Sequence, residues 1–176
     1  DKGGVLVTKD NRLIEARYKL TVNEQRLVLG LASMVRKDDE DFKDYVVHVD
    51  EIAELFGIDG GESFYERMEE ATKALMTTSG AFNISIESNK LKLVRWVSYA
   101  EYVKGSGKIL MRFDKSVKDF MIQIKNQFTQ YQLSAVRQFK SAYAIRFYEL
   151  MEMKRNMGKG AKDGWFYREF EIGELK

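Results

Sequence analysis

Cysteine and proline are absent from the 176 residues, and histidine occurs once, at His48. Without cysteine there is no disulfide framework and no thiolate metal site. A single histidine excludes a Cys–His dyad and leaves a zinc site of the usual nitrogen and sulfur donors without ligands. His48 lies in a short β-branched stretch, where a lone imidazole is read as structural. Without proline, the turns must rest on Gly, Asn, Asp and Ser. No stretch approaches the roughly 18 consecutive apolar residues of a membrane-spanning helix. The opening DKGGVLVTKDN lacks the basic-then-apolar pattern of a secretory signal. These absences give the expectation of a cytoplasmic protein with no membrane association, no metal and no cofactor.

What is present is a full core and a lopsided charge. Hydrophobic residues make up 44% and charged residues 32% of the chain, which suits one domain, or one domain and the start of another. The net charge of +2 conceals a segregation: thirteen acids between Asp38 and Glu70 stand against Lys43 and Arg67 alone, a net of −11, so the remainder carries +13. Residues 81–112 hold six bases against Glu87 and Glu101, and residues 115–160 hold nine against Asp119, Glu149 and Glu152. Such polarity suits a protein with one face turned to an anion.

Along the chain, Val5 to Leu20 reads as an extended lead-in. Thr21-Val22-Asn23-Glu24 has the form of a capping box, and Leu27, Val28, Leu31, Met34 and Val35 recur at helical spacing. A helix over 22–36 with one buried stripe is predicted. Tyr45 to Val49 is a strand candidate. Asp50 is placed as the cap of a short helix carrying Ile52, Leu55 and Phe56, with Gly57 at its left-handed end. Ser63-Phe64-Tyr65-Glu66 repeats the capping-box pattern and opens a longer helix ending at Gly80. Alternating Phe82, Ile84 and Ile86, a Ser88-Asn89-Lys90 turn, a return strand over 91–102, the basic turn Lys104-Gly-Ser-Gly-Lys108 and a strand over 109–113 follow. Asp114 and Ser141 are the expected caps of two further helices, the last with Tyr143, Phe147, Leu150 and Met151 as its core stripe. Helix, turn, helix and a β-ribbon with basic tips is the order of a winged helix. The fold expected is α+β: a helix-turn-helix, a ribbon wing and an added long C-terminal helix.

Reactive chemistry is missing. The basic turn fails as a phosphate loop because Tyr102 stands where the first glycine belongs and Ile109 where Ser or Thr is required. The Asp38–Asp41 run lacks calcium-loop spacing. Enzymes that nick DNA with a tyrosine also need a metal held by paired histidines, which this sequence does not have.

Three stretches carry a resemblance: Lys9-Asp10-Asn11 through Arg17-Tyr18-Lys19-Leu20 into Asn23-Glu24-Gln25-Arg26-Leu27; Arg95-Trp96-Val97-Ser98; and Gln127-Phe128-Thr129-Gln130-Tyr131 with Ser141-Ala142-Tyr143-Ala144-Ile145-Arg146-Phe147-Tyr148-Glu149-Leu150. Over residues 8–176 the chain resembles the iteron-binding, theta-type plasmid replication initiators, which are built from two winged-helix domains. The resemblance implies an N-terminal winged helix over 1–155 for dimerisation and DNA-backbone contact, a linker over 156–164, and the start of a truncated second winged helix at 165–176. It implies a non-catalytic replication initiator that binds double-stranded origin repeats mainly through phosphates, forms a homodimer, and meets host replication proteins such as helicase. The alternatives are a winged-helix transcriptional repressor and a protein–protein adaptor using the acidic helix pair.

The DNA-contacting residues expected are Arg67 and Lys73 on the second helix of the pair, and Lys90, Lys92, Arg95, Lys104 and Lys108 on the ribbon. Five or six phosphate contacts would give log K against log salt a slope of about −5. Glu62, Glu66, Glu69 and Glu70 on the exposed face of the helix argue against deep major-groove insertion. Arg26 is expected on the exposed side of its helix. Arg146 is expected off the core stripe, where it could pair with Glu149 or meet a phosphate.

Overall fold

The computed structural model describes residues 4–36 and 38–157. The lead-in is more than extended chain: strand β1 (Leu6–Asp10) runs into the one-turn helix α1 (Asn11–Glu15), capped by Asp10, whose carboxylate accepts from Arg12 N at 2.8 Å. Helix α2 (Val22–Ala32) opens on the expected capping box, with Thr21 Oγ1 accepting from Glu24 N and Glu24 Oε2 from Thr21 N, both at 3.3 Å. It ends at Ala32 instead of residue 36. Every residue from Glu24 to Ala32 is buried, not one stripe, because neighbouring elements enclose the helix on all sides.

Strand β2 (Tyr45–His48) leads into α3 (Val49–Phe56), so the helix begins one residue before Asp50 and His48 holds the cap position. Asp50 sits in the first turn, where its charge suits the helix dipole. Gly57 ends α3 with φ 61° and ψ 43°, the left-handed geometry at which a Cβ is strained. Helix α4 (Glu62–Thr77) starts after Gly61. The capping box expected at Ser63 therefore does not form: Ser63 is already inside the helix, and its hydroxyl accepts from Arg67 Nη1 at 2.9 Å. The helix also stops three residues short of Gly80.

Strands β3 (Ala81–Glu87) and β4 (Lys90–Arg95) form a two-stranded antiparallel hairpin. The return strand expected over 91–102 is in fact two strands in different sheets. Strand β5 (Val97–Tyr102) pairs with β6 (Lys108–Phe113), which pairs with β2, giving the order β2-β6-β5. The break is at Trp96. Its N–H donates to Gly80 O at 2.8 Å, at the end of the hairpin ladder, and its carbonyl accepts from Asp114 N at 2.9 Å, at the end of the β5–β6 ladder. Its indole is fully buried against Phe82 and Tyr18.

Asp114 caps a 3-10 turn over Lys115–Phe120, not an α-helix. Strand β7 (Phe128–Gln132) then pairs with β1, from Leu6 opposite Gln132 to Asp10 opposite Phe128. A second 3-10 turn, Leu133–Val136, precedes α5 (Ala142–Asn156), whose first turn is capped by Ser141 Oγ accepting from Ala144 N. Helix α5 reaches into the expected linker, with Met157 at its C-terminal cap; residues 158–164, and the expected second domain at 165–176, lie outside the described residues.

The α5 stripe differs from expectation. Tyr143 and Phe147 are 41% and 45% exposed, while Ile145, Arg146, Glu149, Leu150, Glu152 and Met153 are buried. The helix docks on α1 and β7, and the N-terminal segment offers it polar atoms. Arg146 is therefore not a surface residue: it donates to Ile14 O, Ala16 O and Tyr18 Oη at 2.7, 2.8 and 2.7 Å. Beside it, Lys9 Nζ and Tyr131 Oη each donate to Glu149 Oε1 at 2.6 Å. Arg26 is buried too, with its guanidinium 5.8 Å from the Phe56 ring centroid.

Helices α2, α3 and α4 against the sheet β2-β6-β5 form the winged helix, and residues 103–107 between β5 and β6 are its wing. The β3–β4 hairpin is a separate projection packed on α1 and the 3-10 turn after β6.

Candidate nucleic-acid interface

The wing is held in a set position. Gly105 and Gly107 take φ values of 80° and 66°, and Ser106 N donates back to Val103 O at 3.0 Å. Gly107 O accepts from Val49 N at 2.9 Å, which ties the wing base to the start of α3. A Cβ on Gly107 would fall 2.8 Å from Tyr65 Cε1, so only glycine lets the wing close on α4. Tyr65 Oη donates to Asp50 Oδ1 at 2.6 Å and links α4 to α3 across the turn. This leaves Lys104 and Lys108 exposed at the two ends of a clamped loop.

Lys73 is exposed on α4 with its ammonium 5.9 Å from the Tyr102 ring centroid. A hydrogen bond with Tyr102, and then the charges of Glu69 and Glu70, hold it protonated above the ordinary lysine range. Arg67 lies on the opposite flank of the exposed α4 face, bonded to Ser63. Between these flanks run Glu62, Glu66 and Glu70, all exposed. The acidic ridge anticipated from the sequence is therefore real, and cations border it on both sides.

The seven residues singled out from the sequence divide into three places. Arg67, Lys73, Lys104 and Lys108 belong to α4 and the wing. Lys90 and Lys92 belong to the β3–β4 hairpin, on a different sheet, where Lys92 faces Asp119 at 3.8 Å and lies 5.2 Å from the Phe120 ring centroid. Arg95 turns under the end of α4, with Nη2 donating to Met76 O at 2.8 Å. Sequence reasoning did not single out Arg137 and Lys140. They follow the second 3-10 turn and share a cleft with Arg26, Phe56 and Gly57. Their spacing carries no motif; the β1–β7 pairing brings them to α3.

Residues 6–152 match the protein family described as Initiator Replication protein, WH1. A replication initiation protein of Escherichia coli is 28% identical over 152 residues, which cover 82% of this chain and 46% of that protein. The chain thus spans less than half the length of this relative. The crystal structure of the Pi initiator protein in complex with iteron DNA is similar at a TM-score of 0.69 and 19% identity, over 87% of this chain and 65% of that one. The WH1 domain of a replication protein isolated from a multiple sclerosis patient aligns at 23% identity and a TM-score of 0.46, over 61% of this chain and 85% of that one. The expected winged helix and the resemblance to replication initiators are both borne out: the chain belongs to the initiator replication protein family and carries its WH1 domain.

Proposed function

We propose that this domain, over residues 1–155, binds the backbone of double-stranded origin-repeat DNA and mediates homodimerisation, with no catalytic step of its own. The observation that carries the DNA reading is the wing, whose glycine turn holds Lys104 and Lys108 exposed and fixed beside α4. Lys73 extends that cationic edge along the helix, and Arg67 adds a cation on its opposite flank. Four carboxylates on α4 would repel phosphates in a deep groove, so contact along the backbone is favoured over base reading. Arg95 is left out of the interface, since its guanidinium supports the end of α4.

Replacing both wing lysines, K104A/K108A, should make the salt dependence of duplex binding shallower by about 1.8, at about 0.9 per phosphate contact. The check is fluorescence anisotropy with a duplex at several salt concentrations. A slope identical to that of the parent chain would remove the wing from the interface.

The dimer reading rests on the β3–β4 hairpin. Leu91 and Leu93 are 65% and 79% exposed on β4, opposite Ser85 and Asn83 on β3. A projecting two-stranded ribbon with apolar residues on its outer face suits an isologous contact with a second copy. L91E/L93E should yield a monomer by light scattering while the wing variant stays dimeric. A dimer that survives both leucine changes would put the contact elsewhere.

The cytoplasm of a bacterial host is the proposed compartment, and a host helicase a proposed further partner. A repressor would use the same surface, because occupying a promoter needs the same phosphate contacts. The acidic α4 face favours the adaptor as the competing reading, which salt-independent behaviour with duplex DNA would support.

A further inference from the structure

On the far side of α4 from the wing lies a cleft of about 920 Å³ between α2, the end of α3 and the segment after β7. Arg26, Arg137 and Lys140 line it together with Phe56, Gly57 and Gln138, and no carboxylate is among its lining residues. In a chain with nearly equal numbers of acids and bases, three cations facing one space without an acid are an unbalanced charge.

The cations are arranged rather than merely near. The Arg137 guanidinium lies over the bare backbone of Gly57, with Nε 3.0 Å from where a Cβ would stand. Among the described residues neither Arg137 nor Lys140 has a hydrogen-bonded or ion-paired side-chain partner. Arg26 is only 9% exposed. Its Nη1 donates to Asn23 Oδ1 at 3.0 Å, whereas its buried Nε has no partner. Burial first, and then the neighbouring Arg67 cation, hold the Arg26 guanidinium below its ordinary range. An anion in the cleft would supply the opposite charge that offsets that repulsion.

We propose that this cleft is a second phosphate site, which receives a backbone phosphodiester between Arg137 and Lys140 with Arg26 behind them and Arg67 at the rim. The proposal rests on the DNA-binding reading above and deepens it. Helical spacing puts Tyr65 and Glu69 on the wing side of α4, and Ser63 and Arg67 on the cleft side, with the glutamate ridge between them. Two cationic sites astride an acidic helix suit the two phosphate rails that border a groove, with the helix held above the groove floor. A wing alone would grip one rail. The cleft adds the other, and with it the orientation of the domain across the duplex.

The test measures binding of the full 176-residue chain to a 30-base-pair duplex at a series of salt concentrations. R137Q/K140Q, with both side chains on the surface, should retain the parent's circular dichroism and urea midpoint. Its salt slope should be shallower by about 1.8, equal to the effect of K104A/K108A, and the quadruple variant should lose about 3.6. The single changes R137Q and K140Q, each expected to remove about 0.9, decide the matter if the double variant is unstable. A parent slope near zero would overturn the DNA reading itself. A steep parent slope, reduced by the wing variant and untouched by the cleft variants, would overturn this proposal alone and leave the cleft to an acidic peptide.

Discussion

Glu149→Gln is expected to lower the unfolding free energy by about 3–5 kcal/mol, the loss typical of removing one partner from a buried ion pair. Glu149 and Lys9 are 1% and 2% exposed and meet at 2.6 Å. Without the carboxylate, the Lys9 ammonium would be left charged in the interior with no anion to answer it. Burial opposes the charge of Glu149, but Lys9 and Arg146 close by, and hydrogen bonds from Lys9 and Tyr131, hold its carboxyl below the ordinary range. A depressed carboxyl contributes stability that is complete above its unfolded value, near 4.5, and is lost as pH falls through the lower folded value. The parent should therefore lose stability on acidification through that window, and Glu149→Gln should lose the corresponding part of the slope. Burial, and then the Glu149 charge, push the Tyr131 phenol well above its ordinary value, so Tyr131 stays a donor throughout. Adding Lys9→Met to Glu149→Gln should restore much of the loss, because removing both charges removes the desolvation as well. Urea midpoints at pH 7 and at a series of pH values descending from about 4.5 measure all of this. A Glu149→Gln midpoint equal to that of the parent would mean that the pair makes no net contribution.

That network also shows where the sequence was readable. The capping boxes are local patterns, and one of the two formed. Thr21-x-x-Glu24 worked because Thr21 takes the extended geometry of a cap (φ −67°, ψ 166°) and makes both reciprocal bonds, whereas α4 begins after Gly61, ahead of Ser63. Gly57 was readable for the same reason, since a left-handed end is decided within four residues. Helix α5 was not. A 3.6-residue period assigns the core to the apolar stripe, and Tyr143 and Phe147 fit it well. The buried face is decided instead by Ile14 O and Ala16 O, about 130 residues away in sequence, which need donors and receive Arg146. The wing lysines could be found because glycines flank them. The cleft could not, because Arg26, Gly57 and Arg137 converge only through tertiary packing.

The largest misreading, one continuous strand over 91–102, leads to the second large effect. Trp96→Ala should cost about 3–5 kcal/mol, as truncating a buried tryptophan does. Trp96 stacks on Phe82 at 4.7 Å between centroids and meets Tyr18 edge-on at 5.1 Å. It therefore joins the hairpin, the lead-in after α1 and the wing sheet at one point. β-propensity cannot reveal such a junction, because a residue that leaves one ladder for another keeps strand-like neighbours on both sides. Trp96→Phe separates packing from polarity. The indole Nε1 is buried with no partner among the described residues, and an unsatisfied donor of that kind costs about 1–3 kcal/mol. Phenylalanine keeps a ring against Phe82 and removes the donor, so its loss should fall well below that of alanine. Chemical denaturation followed by circular dichroism compares the two directly. If phenylalanine were as damaging as alanine, the indole N–H would have to be doing something useful in solution. The junction would then be held by a hydrogen bond and not by the aromatic stack that joins the hairpin to the wing.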